Sequence, residues 1–182
     1  MAKITYTDKD KTGVSPVNKW RDTDANEVKA SVNALYDING IGVFAALQDS
    51  SMNLAKEIYQ PILGVFTNSP MVGFERAGTE ADPKIQYIGT ESGYFEIDLH
   101  SCFMSDANND TVTIAIKKND TVLDVSEMKT FCKNLNQLYN LSLTVVVDLE
   151  TDDTIQLVYK TTETVDYLGF EKLTTTIRPF II

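Results

Sequence analysis

Alternation of apolar and polar residues with a period of two dominates the second half of the chain. In GYFEIDLHSCFMS, residues 93–105, the odd positions Phe95, Ile97, Leu99, Ser101 and Phe103 oppose Glu96, Asp98, His100 and Cys102. That is the signature of a half-buried strand. The turn SDANND leads into TVTIAIKK, with Val112, Ile114 and Ile116 on one face and Thr111, Thr113 and Lys117 on the other. After VLDV and the less regular SEMKTFCKNLNQLY, the segment LSLTVVVDLE sets Leu141, Leu143, Val145, Val147 and Leu149 on one side. ETDDT returns the chain into IQLVYKTT, and DYLGFEKLTTTIRPFII closes it with a Thr-rich strand. Turn signals recur every 8 to 15 residues with no helix-length pattern between most of them. The prediction is an antiparallel β-sandwich over residues 76–182 rather than a βαβ fold.

The first half reads differently. Residues 1–22 combine Gly13 and Pro16 with Lys, Thr, Asp and Asn, without apolar period, and predict an extended N-terminal arm. At Asp24 a capping residue is followed by Glu27, so a short α-helix is expected within 23–39. Its apolar positions Ala25, Val28, Val32 and Leu35 are spaced three, four and three apart, an a/d seam. A helix of about 14 residues is marginal alone in water, so the seam packs either on the body or on copies of itself. In the second case Val28, Val32 and Leu35 form a trimer interface. Residues 40–75 are read as a connector whose apolar content argues against a flexible linker.

Charge sharpens this division. The net charge is −10, which disfavours nucleic acid and anionic membranes as partners. Within residues 1–21, Lys3, Lys9, Lys11, Lys19 and Arg21 face only Asp8 and Asp10. A basic arm on an acidic body suits docking on an acidic protein surface, and equally a solvated tail. Lys19, Trp20 and Arg21 are the expected anchoring residues, since aromatics and Arg are enriched at interface hot spots. The competing reading is a Trp that staples the start of the helix. No apolar run reaches the roughly 18 residues of a spanning helix, and the N-terminus has no signal-peptide core.

Candidate chemistry is sparse, and no enzyme is expected. The sole histidine, His100, lies on the polar side of a predicted strand without a nucleophile motif. Cys102 and Cys132 match no metal spacing and are read as free thiols. Asp106 to Asp110 begins like a calcium loop, D-x-N-x-D, but position six is Thr111 and position twelve Lys117, so a plain turn is expected. Asp148, Glu150, Asp152 and Asp153 form an acidic tip of the kind that serves solubility. No metal or cofactor is expected.

Two segments resemble known proteins. GYFEIDLHSCF, DTVTIAIKKNDTVLD, LYNLSLTVVVDLETDDTIQLVY and FEKLTTTIRPFII resemble, in order, strands of the trimeric jelly-roll module of the tumour-necrosis-factor and C1q families. The family's Gly-Asp at its V-x-L-x-x-G-D-x-I-x-L hairpin is Asp152-Asp153 in this chain. ITYTDKDKTGVSPVNKWRDTDANEVKASVNALYD, with KWRDTDANEVK at Lys19 to Lys29 as its core, resembles the leader on fibre and appendage proteins of phages infecting gut Bacteroidetes, the crAss-like group among them. Together the resemblances imply a homotrimeric virion protein made in the bacterial cytoplasm. Its arm would meet capsid or other virion proteins, and its C1q/TNF-like jelly roll would project towards a host surface glycan. A head fibre or capsid decoration is favoured over a tail fibre, an adaptor, a carbohydrate-binding module or a depolymerising hydrolase domain.

Overall fold

Alternation of the kind just described buries one side of each strand, and two such sheets close on each other. A computed structural model describes residues 42–46, 56–65, 73–163 and 168–180. Its strands are β1 (Gly42–Ala46), β2 (Gln60–Pro61), β3 (Gly64–Val65), β4 (Phe74–Thr79), β5 (Asp82–Tyr87) and β6 (Gly93–Ser105). They continue as β7 (Asp110–Lys118), β8 (Thr121–Val122), β9 (Met128–Cys132), β10 (Leu138–Leu149), β11 (Thr154–Thr161) and β12 (Leu168–Pro179). One sheet runs β10-β6-β12-β1-β3; the other runs β4-β5-β11-β7-β8, with β2 on β11 and β9 on β7. All pairings are antiparallel.

The expected sandwich is therefore present, and its predicted inward positions are buried: Phe95, Ile97, Leu99, Ser101 and Phe103 on β6, and Leu141 to Leu149 on β10. Thr113 differs from expectation. It was placed on a polar face, yet it is buried together with Ala115, Gln156 and Val158, because β7 and β11 are covered on both faces. The irregular stretch after β8 contains a 3-10 turn at Asp124–Ser126 and the strand β9. Part of the stretch read as a connector is woven into the sheets: β1 pairs with β12 from Gly42↔Ile177 to Ala45↔Thr174, and β2 pairs with β11. The expected arm and helix lie outside the described residues, and among the described residues the only helical element is the 3-10 turn.

Two aromatic clusters mark the poles of the sandwich. Phe74, Tyr87 and Phe95 meet at 4.9–5.5 Å between ring centroids. Phe103, Tyr139, Tyr159 and Phe170 meet at 5.9–6.2 Å. The first cluster sits at the pole where β6 and β11 begin and β12 ends, and because Gly42 pairs with Ile177 the chain enters the sandwich there as well. We call it the proximal pole. The distal pole is built from the β6–β7 and β9–β10 connections and the end of β11.

Candidate functional site

Three surfaces concentrate the side chains that could act on a partner, and each is placed by the register of the sheets. The first is the outer face of the β10-β6-β12 sheet. Its cross-strand rows are Val146–Glu96–Arg178, Thr144–Asp98–Thr176, Ser142–His100–Thr174 and Asn140–Cys102–Lys172. Arg178 bonds Glu96 through Nε at 2.8 Å and reaches Asp98 at 3.0 Å, while Thr144 donates to Asp98 at 2.7 Å. The Glu96 and Asp98 carboxylates in turn hold the Arg178 guanidinium above its ordinary pKa. Tyr94, Val146, Leu138 and Phe180 are exposed at the margins of this face, Tyr94 by 53%.

His100 lies on that face as predicted, its Nδ1 3.0 Å from Ser142 Oγ. The pair does not make a hydrolytic site. Among the described residues no third group orients the imidazole, because Asp98 is engaged by Thr144 and Arg178. Cys102 is half-buried and Cys132 buried. Burial, with a smaller effect from Asp110, pushes the Cys132 thiol up to about 11, which makes it a poor nucleophile.

The second surface is an edge of the sandwich, where the 3-10 turn, β9 and the β9–β10 turn run beside β10. It exposes Val125 (78%), Phe131 (57%), Met128 and Leu135. Sequence reasoning missed this edge, since MKTFC carries no clean alternation.

The two poles form the third. At the proximal pole three of the four carboxylates of the acidic tip, Asp148, Asp152 and Asp153, are engaged internally. Asp153 accepts from Glu150 N at 2.8 Å and from the Asn119 amide, and pairs with Lys118 at 2.9 Å. Burial alone would raise its carboxyl, but those hydrogen bonds and Lys118 hold it below the usual carboxylate range. Asp152 adopts φ 73° and receives the Gln86 amide, Lys118 also pairs with Asp148 at 3.6 Å, and Asn119 Oδ1 accepts from Thr154 N.

At the distal pole the D-x-N-x-D turn is likewise structural. Asp110 is fully buried and accepts from Ser105 Oγ, Thr162 N, Thr162 Oγ1 and Glu163 N at 3.0–3.2 Å. Asn109 N donates to Lys133 O, Leu135 N to Asn108 Oδ1 at 3.0 Å, and Asn136 N to Ser105 O at 2.8 Å, which ties the two turns together. Among the described residues no group of three or more His, Cys, Asp and Glu side chains is placed to hold a metal ion. Lys19, Trp20, Arg21, Val28, Val32 and Leu35, the expected anchoring and trimer residues, lie outside the described residues.

No protein-family model matches the chain, and no curated protein matches it. Among solved structures, murine APRIL at pH 8.0 is 8% identical with a TM-score of 0.50, covering 76% of this chain and 98% of its own. The globular domain of zebrafish complement 1qA is 9% identical with a TM-score of 0.48, covering 79% and 98%. The likeness to APRIL shows the fold: an antiparallel jelly-roll sandwich of the C1q/TNF-like class.

Proposed function

We propose that this chain is a phage virion structural protein, a homotrimeric head fibre or capsid decoration. In this reading it attaches through residues 1–22, associates along Val28, Val32 and Leu35, and projects its jelly roll towards the host surface. Lys19, Trp20 and Arg21 are the anchoring residues. The leader resemblance at Lys19 to Lys29 supports the virion setting, and the jelly-roll fold supports a trimer, the assembly implied by the resemblance to the tumour-necrosis-factor and C1q families. The protein acts by binding and is not an enzyme.

The observation that carries the trimer is the placement of exposed apolar side chains on two different surfaces. A threefold ring has no self-complementary contact, so each protomer must offer two distinct patches that fit one another. The margins of the β10-β6-β12 face, with Tyr94 and Val146, are one; the edge with Val125, Met128 and Phe131 is the other. Light scattering after size exclusion tests this. A solution mass three times the 20.3 kDa of one chain supports the reading. Full chain and residues 40–182, which retain β1, should both be trimers, and a monomer for both overturns the proposal.

A further inference from the structure

We infer that the distal pole is a binding site for neutral, hydroxyl-rich polysaccharide, read by an uncharged cluster of side-chain amides. The inference rests on the reading above in one respect: anchoring through the residues before Gly42 makes this pole the outward one.

The composition of the pole sets it apart from the rest of the chain. Asn108, Asn109, Asn134, Asn136 and Gln137 are all exposed there, beside Leu135. In a chain of net charge −10, the β9–β10 turn, residues 133–137, contains no Asp or Glu. An amide carries two donors and an acceptor with two lone pairs, so it meets vicinal hydroxyls in both senses without charge. An anionic ligand would call for more cations than Lys133, and an apolar one would leave the amides unpaired. Hydroxyl-rich neutral sugar is the chemistry that remains.

Geometry supports recognition rather than mere solvation. The two turns are fixed to each other by Asn109 N to Lys133 O, Leu135 N to Asn108 Oδ1 and Asn136 N to Ser105 O, and Asp110 anchors them from beneath. Asn134 Nδ2 donates to Gln137 Oε1 at 2.9 Å, which orients both amides. Asn109 and Asn136 stand at φ 57° and 54°, and their side-chain amides make no hydrogen bond among the described residues. Such a site is preorganised, which lowers the entropic cost of binding.

The test uses the full chain on an array of neutral bacterial capsular polysaccharides, with heparin as the anionic control. Binding to one or more neutral polysaccharides and not to heparin is expected. The triple variant Asn109→Asp, Asn136→Asp, Gln137→Glu keeps residues that tolerate positive φ and should weaken binding by about tenfold or more. Gln137→Ala alone should weaken it by a smaller factor, and guards against a triple variant that misfolds. Absence of binding to every neutral polysaccharide, preference for heparin, or binding unchanged in both variants overturns the inference. Light scattering on the same samples separates the two failures: a monomer sinks the trimeric fibre, whereas a trimer that binds no neutral polysaccharide sinks only the distal site.

Discussion

The two poles of the sandwich are built from the same kind of part, turns between long antiparallel strands, yet they use polar side chains in opposite ways. The proximal turns carry Asp148, Asp152 and Asp153 and spend them on Lys118, Asn119, Gln86 and backbone N–H groups. The distal turns bury one carboxylate, Asp110, as scaffold and turn uncharged amides outward. Charge satisfied inside the chain stabilises turns, whereas neutral hydrogen-bonding groups left in solvent are free to meet a partner. Composition alone does not separate the two cases; partners do.

The largest effect should come from the scaffold at the distal pole. Asp110→Ala strands two backbone N–H donors, a threonine hydroxyl and a serine hydroxyl, and should cost about 3 kcal/mol in chemical unfolding. A loss under about 1 kcal/mol would mean that the distal turns hold themselves together.

At the proximal pole, Asp153→Asn should cost about 2 kcal/mol at pH 7. Because the folded carboxyl is held below its ordinary value, its contribution is complete above that value and fades as pH falls through the range below it. The melting temperature of the native chain should therefore drop below about pH 4, and the variant should show a shallower drop. Equal acid slopes for the two proteins would remove Asp153 from the account.

Gly89→Ala tests how tightly that pole is packed. Its Cβ would stand 2.1 Å from the hydroxyl of Tyr87, which is fully buried and donates to Glu91 O. A cost of about 1–3 kcal/mol by thermal melting is expected.

Smaller still, Asp152→Gly should leave stability within about 0.5 kcal/mol, since the relief of backbone strain at φ 73° is offset by loss of the bond from the Gln86 amide. Gln137→Ala, exposed at the distal pole, should leave stability within about 0.5 kcal/mol. A larger loss there would assign the distal amides a structural role and erase the contrast between the poles.

What the sequence revealed follows from how many faces each strand buries. β6 and β10 bury one face, so their alternation is clean and the predicted inward residues are inward. β7 and β11 bury both, which blurs the period and buries Thr113 on the face read as polar. GVFAA in β1 has no polar residue to alternate, so its place between β12 and β3 was invisible without the long-range pairing. The hairpin motif was readable, and φ 73° at Asp152 explains why the resembled families carry glycine there. The distal amides were not recognised, because Asn and Gln between strands read as ordinary turn formers until the backbone ties between the two turns are known.

The position of β1 also has a mechanical meaning. Gly42 lies at the proximal end of a strand that runs up the sandwich, held on one side by β12 and on the other by β3. Tension pulling on Gly42 away from the proximal pole would load the hydrogen bonds of β1 in shear, all at once, instead of peeling them one after another. Under the anchoring proposed above, a domain tethered in that way resists being pulled apart from its N-terminal side.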